Sequence, residues 1–232
     1  QPWLAFTEDR QVVVLFGTGK YLEPKDRTLS IPVQSMYGIF DQGPAAAGYP
    51  VVGQNRLLRQ NLSVLGSGRT LTVSTIDHSQ HRGWYFDFLA DGERNIVRTG
   101  VRVGAGVGIT PTLIPTSDDP CNPAARSFLL FFDVTNGGIP GSARPPTDSD
   151  GDGIPDYIVS FDTNGDRMIN GSDDARVIGE PVDDFIAAVT PVTMPGGGEG
   201  RIILPGGSAG ATSLVVPEFE WRRRSWRELF RE

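Results

Sequence analysis

Residues 84–88 read Trp-Tyr-Phe-Asp-Phe, and this short stretch decides the fold class. Trp84, Phe86 and Phe88 fall on one face of an extended chain, while Asp87 falls on the other face. An alternation with a period of two is typical of a half-buried β-strand. The stretch therefore predicts a strand whose aromatic side chains face a core.

Similar short runs, bounded by Gly, Pro, Asp or Asn, recur along the chain and predict further strands. With the first, they cover Val12–Phe16, Ser35–Asp41, Arg69–Ile76, Gly83–Leu89, Arg94–Arg98, Arg102–Thr110, Ser127–Val134, Tyr157–Phe161, Arg201–Leu204 and Ser213–Val216. Helical patterns are limited to Asp174–Ile178 and Val182–Val189. The chain is therefore predicted to be mostly β, either as a sandwich or as β-propeller-like blades. At about 40–50 residues per blade, residues 1–232 would be the C-terminal part of a propeller domain.

Composition excludes several classes of protein. Of the 232 residues, 29 are Gly and 18 are Pro, which indicates a chain rich in turns. No window approaches 18 consecutive apolar residues, so the sequence predicts no transmembrane segment. The single cysteine, Cys121, excludes an internal disulfide framework and a four-thiolate zinc site.

The net charge of −7 is concentrated in one segment. Residues 148–184 contain ten Asp and one Glu against two Arg, whereas the rest of the chain is slightly basic. A nucleic-acid-binding protein would instead cluster basic residues on one face. We therefore expect no nucleic acid among the partners, and we look for a cation in the acidic segment.

Two consecutive runs of oxygen-bearing residues in this segment predict a calcium site. Ca²⁺ takes six to eight oxygen ligands, and an EF-hand-like loop supplies them from positions 1, 3, 5, 7, 9 and 12. In the first loop the ligands would be Asp148, Asp150, Asp152, the Ile154 carbonyl and Asp156. In the second loop they would be Asp162, Asn164, Asp166, the Met168 carbonyl, Asn170 and Asp173. The sequence thus predicts one or two Ca²⁺ ions in a loop insertion over residues 148–174.

Each loop departs from the full pattern. The first has Gly153 at position 6, where the sharp turn needs glycine, but Val159 at position 12. The second has Asp173 at position 12, a shorter residue than the usual Glu, and Arg167 at position 6. We expect affinities in the range of extracellular modules, with Kd roughly 10⁻⁴–10⁻³ M. Without a cation, two carboxylates about 4 Å apart repel by roughly 1 kcal/mol even in water, which favours a site over a plain turn.

The sequence contains no constellation typical of an enzyme. His78 and His81, the only histidines, fit a polar loop. We therefore expect a non-enzymatic protein. Two alternatives stay open: a periplasmic quinoprotein-like propeller enzyme, which also binds calcium, and a dockerin-like extracellular assembly module. The offset of only 14 residues between Asp148 and Asp162 argues against the dockerin, which needs helices between its loops.

Several strings, in order and at plausible spacing, resemble the C-terminal β-propeller region of the type IV pilus tip-associated adhesin and pilus biogenesis family. They lie in Val14–Leu22, Gln34–Asp41, Arg82–Phe88, Gly92–Arg94, Thr112–Pro115, Asp119–Cys121, Phe132–Gly138 and Arg224–Leu229. Each string alone is unspecific, and together they span most of the chain.

The resemblance implies a protein exported through the periplasm to the cell surface, at or near the pilus tip. It implies roles in pilus biogenesis, twitching motility and attachment, with calcium binding as a regulatory feature of some members. The implied partners are minor pilins or other tip components and a host or abiotic surface. The Asp162–Asp173 loop falls where such proteins often carry Asp-x-Asn-Gly-Asp, and the Asp148–Asp156 loop is similar to a thrombospondin type 3 repeat.

Overall fold

The computed structural model describes residues 2–7, 9–27, 31–43, 50–102, 106–117, 124–144, 148, 151, 153, 155–193, 200–205 and 211–216. These residues form 15 β-strands and one 3₁₀ turn, Pro24–Arg27. The prediction of a mostly β chain is therefore confirmed. Within this part of the chain there is no helix with the length and hydropathy of a membrane span.

The strands are arranged in three sheets. The first sheet has the order β1 (Trp3–Phe6), β2 (Val12–Gly17), β3 (Ser35–Asp41), β7 (Gly83–Asp87) and β4 (Leu58–Arg59). The second has the order β5 (Leu62–Leu65), β6 (Gly68–Leu71), β12 (Gly179–Val182), β11 (Ala125–Asp133), β9 (Val107–Pro111) and β8 (Gly100–Arg102), and β10 (Ile114–Pro115) also pairs with β11. The third contains β13 (Thr190–Thr193), β14 (Gly200–Pro205) and β15 (Ala211–Val216). All neighbouring strands are antiparallel except β4 and β7, which are parallel.

The first two sheets bury a shared hydrophobic core. Val13, Leu15 and Trp84 of the first sheet join Leu130 and Phe132 of the second in one cluster, and all five are fully buried. Alternate residues of each strand face this core, so each sheet covers the apolar face of the other. Burial of large side chains of this kind is the main favourable term in folding.

Trp84 lies at the centre of this core, as the alternation in its strand predicts. Its indole Nε1 donates to the Val134 carbonyl at 3.0 Å, and its ring meets the ring of Phe132 edge-on at 5.2 Å. Two glycines leave room for the indole: a Cβ on Gly38 or on Gly137 would lie 2.3 Å from the ring. The aromatic strand thus joins the two sheets through one satisfied, fully buried side chain.

Both sheets have open ends within the described residues. The order of the first sheet ends at β1 and β4, and that of the second ends at β5 and β8. No closed barrel or ring is formed by these strands. The structure therefore supports two sheets packed face to face. It does not by itself establish the predicted propeller.

The single strand predicted over Arg102–Thr110 is wrong. The chain forms a hairpin of β8 and β9 instead, in which Val101 pairs with Gly108 and Arg102 pairs with Val107. Gly106, directly before β9, has φ 65°, a left-handed conformation that breaks an extended run and that glycine adopts without steric cost. Alternating Val and Gly fit an unbroken strand and a hairpin equally well, so periodicity could not separate them.

Four further predicted elements are also wrong. Asp174–Ile178 and Val182–Val189 contain no helix, and the chain between them, Gly179–Val182, pairs with β11 as strand β12. Tertiary pairing overrides a weak helical pattern. Arg94–Arg98 forms only an isolated bridge between Arg94 and Leu113. Tyr157–Phe161 is irregular, although the N–H of Ile158 donates to the Pro140 carbonyl at 2.9 Å.

Candidate metal centre

The second predicted loop winds around its first carboxylate. Oδ1 of Asp162 accepts the N–H of Gly165 at 2.7 Å, and Oδ2 accepts the N–H of Arg167 at 2.7 Å. Gly165 has φ 81° and Arg167 has φ 68°, so the backbone is left-handed at positions 4 and 6. These two hydrogen bonds hold the chain in a tight arc with Asp162 on its inner side.

Further side-chain oxygens along the arc each accept an N–H from two residues ahead. Asn164 Oδ1 accepts from Asp166 at 2.8 Å, and Asp166 Oδ1 accepts from Met168 at 2.7 Å. Asn170 Oδ1 accepts from Ser172 at 2.8 Å. Such local bonds fix the direction of each side chain relative to the backbone. The predicted ligands at positions 3, 5 and 9 are therefore ordered by the loop itself.

Asp173, the predicted ligand at position 12, closes the loop. Its side chain is buried, and Oδ1 accepts the N–H groups of Thr163 at 2.7 Å and Asn164 at 3.3 Å. Its Oδ2 accepts the N–H of Asn170 at 3.0 Å. Burial acts to raise the pKa of Asp173, but the hydrogen bonds from Asn170, Thr163 and Asn164 outweigh it and hold the pKa below the ordinary 3.8. The ionised carboxylate of Asp173 thus links the start and the end of the loop through hydrogen bonds.

The first loop repeats the winding of the second. Oδ1 of Asp148 accepts the N–H of Gly151 at 2.7 Å, and Oδ2 accepts the N–H of Gly153 at 3.0 Å. Both glycines are left-handed, with φ 79° and 81°. The offsets of three and five residues from the leading aspartate are those found at Asp162. The predicted ligands Asp150, Asp152 and Ile154 lie outside the described residues, and Asp156 is exposed.

The second loop is anchored on the protein at both ends. Immediately before it, Phe161 is 1% exposed and meets the ring of Phe131 edge-on at 5.0 Å. After it, the N–H of Ile178 donates to the Arg69 carbonyl at 2.8 Å, and the Ile178 carbonyl accepts the N–H of Phe131 at 2.7 Å. Phe131 therefore contacts the chain on both sides of the loop, so the order of the loop is coupled to strand β11.

Glu180 on β12 adds a carboxylate that the sequence analysis did not include. Its pKa is raised, first by burial and second by the negative charge of Asp162. Glu180 is not part of the ligand spacing of the second loop. It interacts with Asp162 because strand β12 is positioned by its pairing with β11. The available signal in the sequence was that Glu180 is the one Glu in the acidic segment of residues 148–184.

The carboxylates alone do not form a compact group. Among the residues that the structure describes, no three His, Cys, Asp or Glu side chains form a group that could hold a metal ion. Calcium, however, also binds amide and backbone carbonyl oxygens, which supply three of the six predicted ligands of the second loop. His78 and His81 stay in a turn before β7, where His81 Nδ1 accepts the N–H of Asp77 at 3.0 Å.

The three kinds of comparison with known proteins give no relative. No protein-family model, no curated protein and no solved structure matches the chain. The likeness to the pilus adhesin family therefore stays a prediction from the quoted strings.

Proposed function

We propose that this chain is a calcium-binding, non-enzymatic part of a type IV pilus tip adhesin, exported to the cell surface, that supports pilus biogenesis, twitching motility and attachment. The observation that carries the calcium proposal is the identical winding of two consecutive loops around Asp148 and Asp162. Two unrelated polar turns have no reason to share the same hydrogen bonds and the same left-handed positions. A common ligand requirement gives that reason.

The oxygens of the second loop fit a hard cation. Asp162, Asn164, Asp166 and Asn170 carry oxygens ordered along one arc, and the carbonyl of Met168 completes the spacing. Asp173 closes the loop behind them with an ionised carboxylate. A bound Ca²⁺ would neutralise the repulsion among these carboxylates and Glu180, and it would stiffen the segment that is anchored on Phe131. The first loop would supply a second site, led by Asp148.

The propeller part of the proposal is supported by the outer face of the first sheet. Leu4 and Phe6 of β1 are 60% and 65% exposed, and their neighbours Val12 and Val14 on β2 are only half-buried. A blade inside a propeller is covered on both faces, so its strands are apolar on both faces. We propose that the first two sheets are blades of such a domain and that the acidic loops are an insertion in it.

The pilus assignment rests on the quoted strings. The dockerin alternative is disfavoured further, because residues 155–193 contain no helix. In the organism that carries the protein, loss of this region should reduce surface pili, twitching and attachment. Normal pili and normal attachment after removal of this region would contradict the pilus assignment, but they would leave the calcium proposal unaffected.

Calcium binding is tested by calorimetric titration with Ca²⁺ and Mg²⁺ on the wild type and on an Asp162→Ala/Asp166→Ala variant. Asp183→Ala is the matched control, since Asp183 belongs to the acidic segment, lies outside both loops and is 89% exposed. We expect the double variant to lose the second site and the control to keep it. Equal heats from all three proteins would contradict a site in this loop.

A further inference from the structure

A cleft opens on the side of the sandwich where β1 and β8 end the two sheets. It has a volume of about 670 Å³ and is lined by Trp3, residues 96–101, Phe185 and residues 187–189. Trp3 and Val101 also contact the shared core, so the cleft reaches the apolar interior between the sheets. Its lining is largely apolar, with Arg98 and Thr99 as the polar side chains.

The edge of β1 that faces away from β2 borders this cleft through Trp3. Within the described part of the chain β1 pairs only with β2. The N–H of Thr7 donates to the Gln11 carbonyl across the hairpin, and antiparallel pairing alternates along a strand. The backbone N–H and C=O groups of Leu4 and Phe6 therefore point away from β2. Unpaired groups on a strand edge are a template for another extended segment.

The edge also lacks the features that protect free strands. Residues 3–6 contain no charge, no proline and no bulge, and Leu4 and Phe6 are exposed. Natural edge strands are usually shielded by lysine, proline or a covering element. An unprotected edge beside an apolar cleft is typical of a surface that receives a strand.

The charge in the cleft selects the kind of strand. The guanidinium of Arg98 lies 3.8 Å from the centroid of the Trp3 ring, and both side chains line the cleft, with Arg98 exposed to solvent. Arg98 has no carboxylate partner among the described residues. An acidic side chain on an incoming strand would supply that partner.

We propose that this open side is a docking surface for an extended segment of a partner protein. The segment adds to β1 as a strand, places apolar side chains in the cleft and sets an acidic side chain against Arg98. The backbone hydrogen bonds give affinity for any extended chain, and Arg98 gives the preference for an acidic one. The surface is separate from the acidic loops, so it does not rest on calcium binding.

The test uses two synthetic probes. Both are capped eight-residue peptides of alternating Thr and Val, one with Asp and one with Lys in place of a central Val. Fluorescence anisotropy should show the Asp peptide binding the wild-type chain at least about tenfold more tightly than the Lys peptide. Arg98→Glu should reverse that order. Equal binding of the two peptides, or an unchanged order in Arg98→Glu, would overturn the proposal.

A second pair of variants tests strand addition itself. Leu4→Pro removes an N–H that the fold does not use, which an edge strand tolerates, while Leu4→Thr removes the apolar side chain and keeps the N–H. We expect Leu4→Pro to weaken binding of the Asp peptide at least about tenfold and Leu4→Thr to leave that binding unchanged. If Leu4→Pro lowers the thermal midpoint, the Arg98→Glu reversal decides the result. A chain that is a dimer and becomes monomeric in Leu4→Pro would show that a second copy occupies the edge, and would overturn the partner assigned here.

Discussion

The carboxylate of Asp162 accepts the backbone N–H of Arg167 at 2.7 Å, and Arg167 has a left-handed φ of 68°. In the first loop the equivalent bond, from Gly153 to Asp148, is made by a glycine with φ 81°. A residue with a Cβ in this conformation costs roughly 1–2 kcal/mol relative to the right-handed one. The second loop thus holds one unfavourable backbone position to keep its first carboxylate inside the arc.

Replacing Arg167 by Gly should stabilise the loop. The change removes the left-handed cost, offset in part by the greater freedom of glycine in the unfolded chain, so we expect a gain of about 0.5–1 kcal/mol in the free energy of unfolding. It also removes a positive charge beside the proposed cation, so Ca²⁺ should bind more tightly. Chemical denaturation and calorimetric titration measure the two effects.

Arg167→Ala separates the two causes. It removes the charge but keeps a Cβ at φ 68°, so it should tighten Ca²⁺ binding without stabilising the metal-free protein. A metal-free gain as large in Arg167→Ala as in Arg167→Gly would show that backbone conformation is not the cause.

Asp173→Asn should destabilise the metal-free protein by about 1–3 kcal/mol. The amide keeps one acceptor oxygen and brings an NH₂ group to one side, so either the bond from Asn170 or those from Thr163 and Asn164 are lost. Asp174→Asn is the control, because Asp174 is more exposed and its carboxylate bonds mainly Arg176. If urea denaturation shows the same loss of stability in both variants, Asp173 does not hold the loop closed.

The lowered pKa of Asp173 predicts the direction of the pH dependence. A carboxyl group whose pKa is lower in the folded state stabilises the protein fully above its unfolded value, near 3.8. That contribution is lost as the pH falls below 3.8 through the folded-state pKa. Stability measured between about pH 5 and pH 2 should therefore fall less steeply in Asp173→Asn than in the wild type.

Glu180→Gln should raise the thermal midpoint of the metal-free protein at pH 7. Burial and the charge of Asp162 raise the pKa of Glu180, so its ionised form disfavours the folded state as the pH rises through the folded-state pKa. Below about pH 4.5, the ordinary value, Glu180 is protonated in both states and the advantage of the variant should disappear. A variant less stable than the wild type at pH 7 would mean that a favourable partner holds Glu180 in its charged form.

Glu93→Gln should lower the free energy of unfolding by about 3–5 kcal/mol, because it leaves the buried guanidinium of Arg69 without its counter-charge. Arg69 donates to both oxygens of Glu93, at 2.6 and 2.9 Å, and the two side chains are 4% and 0% exposed. The guanidinium also lies 3.5 Å from the centroid of the Phe128 ring, so the pair joins β6 to β11. Denaturation of Glu93→Gln and of an Arg69→Met/Glu93→Gln double variant measures this, and the double variant should recover part of the loss.

The sequence was informative where alternation and turn residues agreed. The strand Ser35–Asp41 has the predicted bounds, and Trp84 and Phe86 are fully buried as their spacing predicts. Strand β1 was not predicted, because exposed Leu4 and Phe6 place apolar residues on both faces of a four-residue run. Short apolar runs of this kind carry no clear period.

The candidate site was predictable in its local part only. The spacing of Asp148 and Asp162 indicated wound loops, since the hydrogen bonds of such loops join residues two to five positions apart. The proximity of Glu180 to Asp162 and the anchoring of Phe161 on Phe131 arise from strand pairing. Contacts of that kind depend on the whole fold and have no signature in the spacing of the loop.

The central claim is that the loop from Asp162 to Asp173 binds calcium, and a calorimetric titration of the full chain with Ca²⁺ tests it most directly. We predict saturable binding with Kd roughly 10⁻⁴–10⁻³ M, abolished at this loop by Asp162→Ala/Asp166→Ala and retained in Asp183→Ala. Absence of saturable heat at millimolar Ca²⁺, or the same heat in the double variant as in the wild type, would contradict the claim.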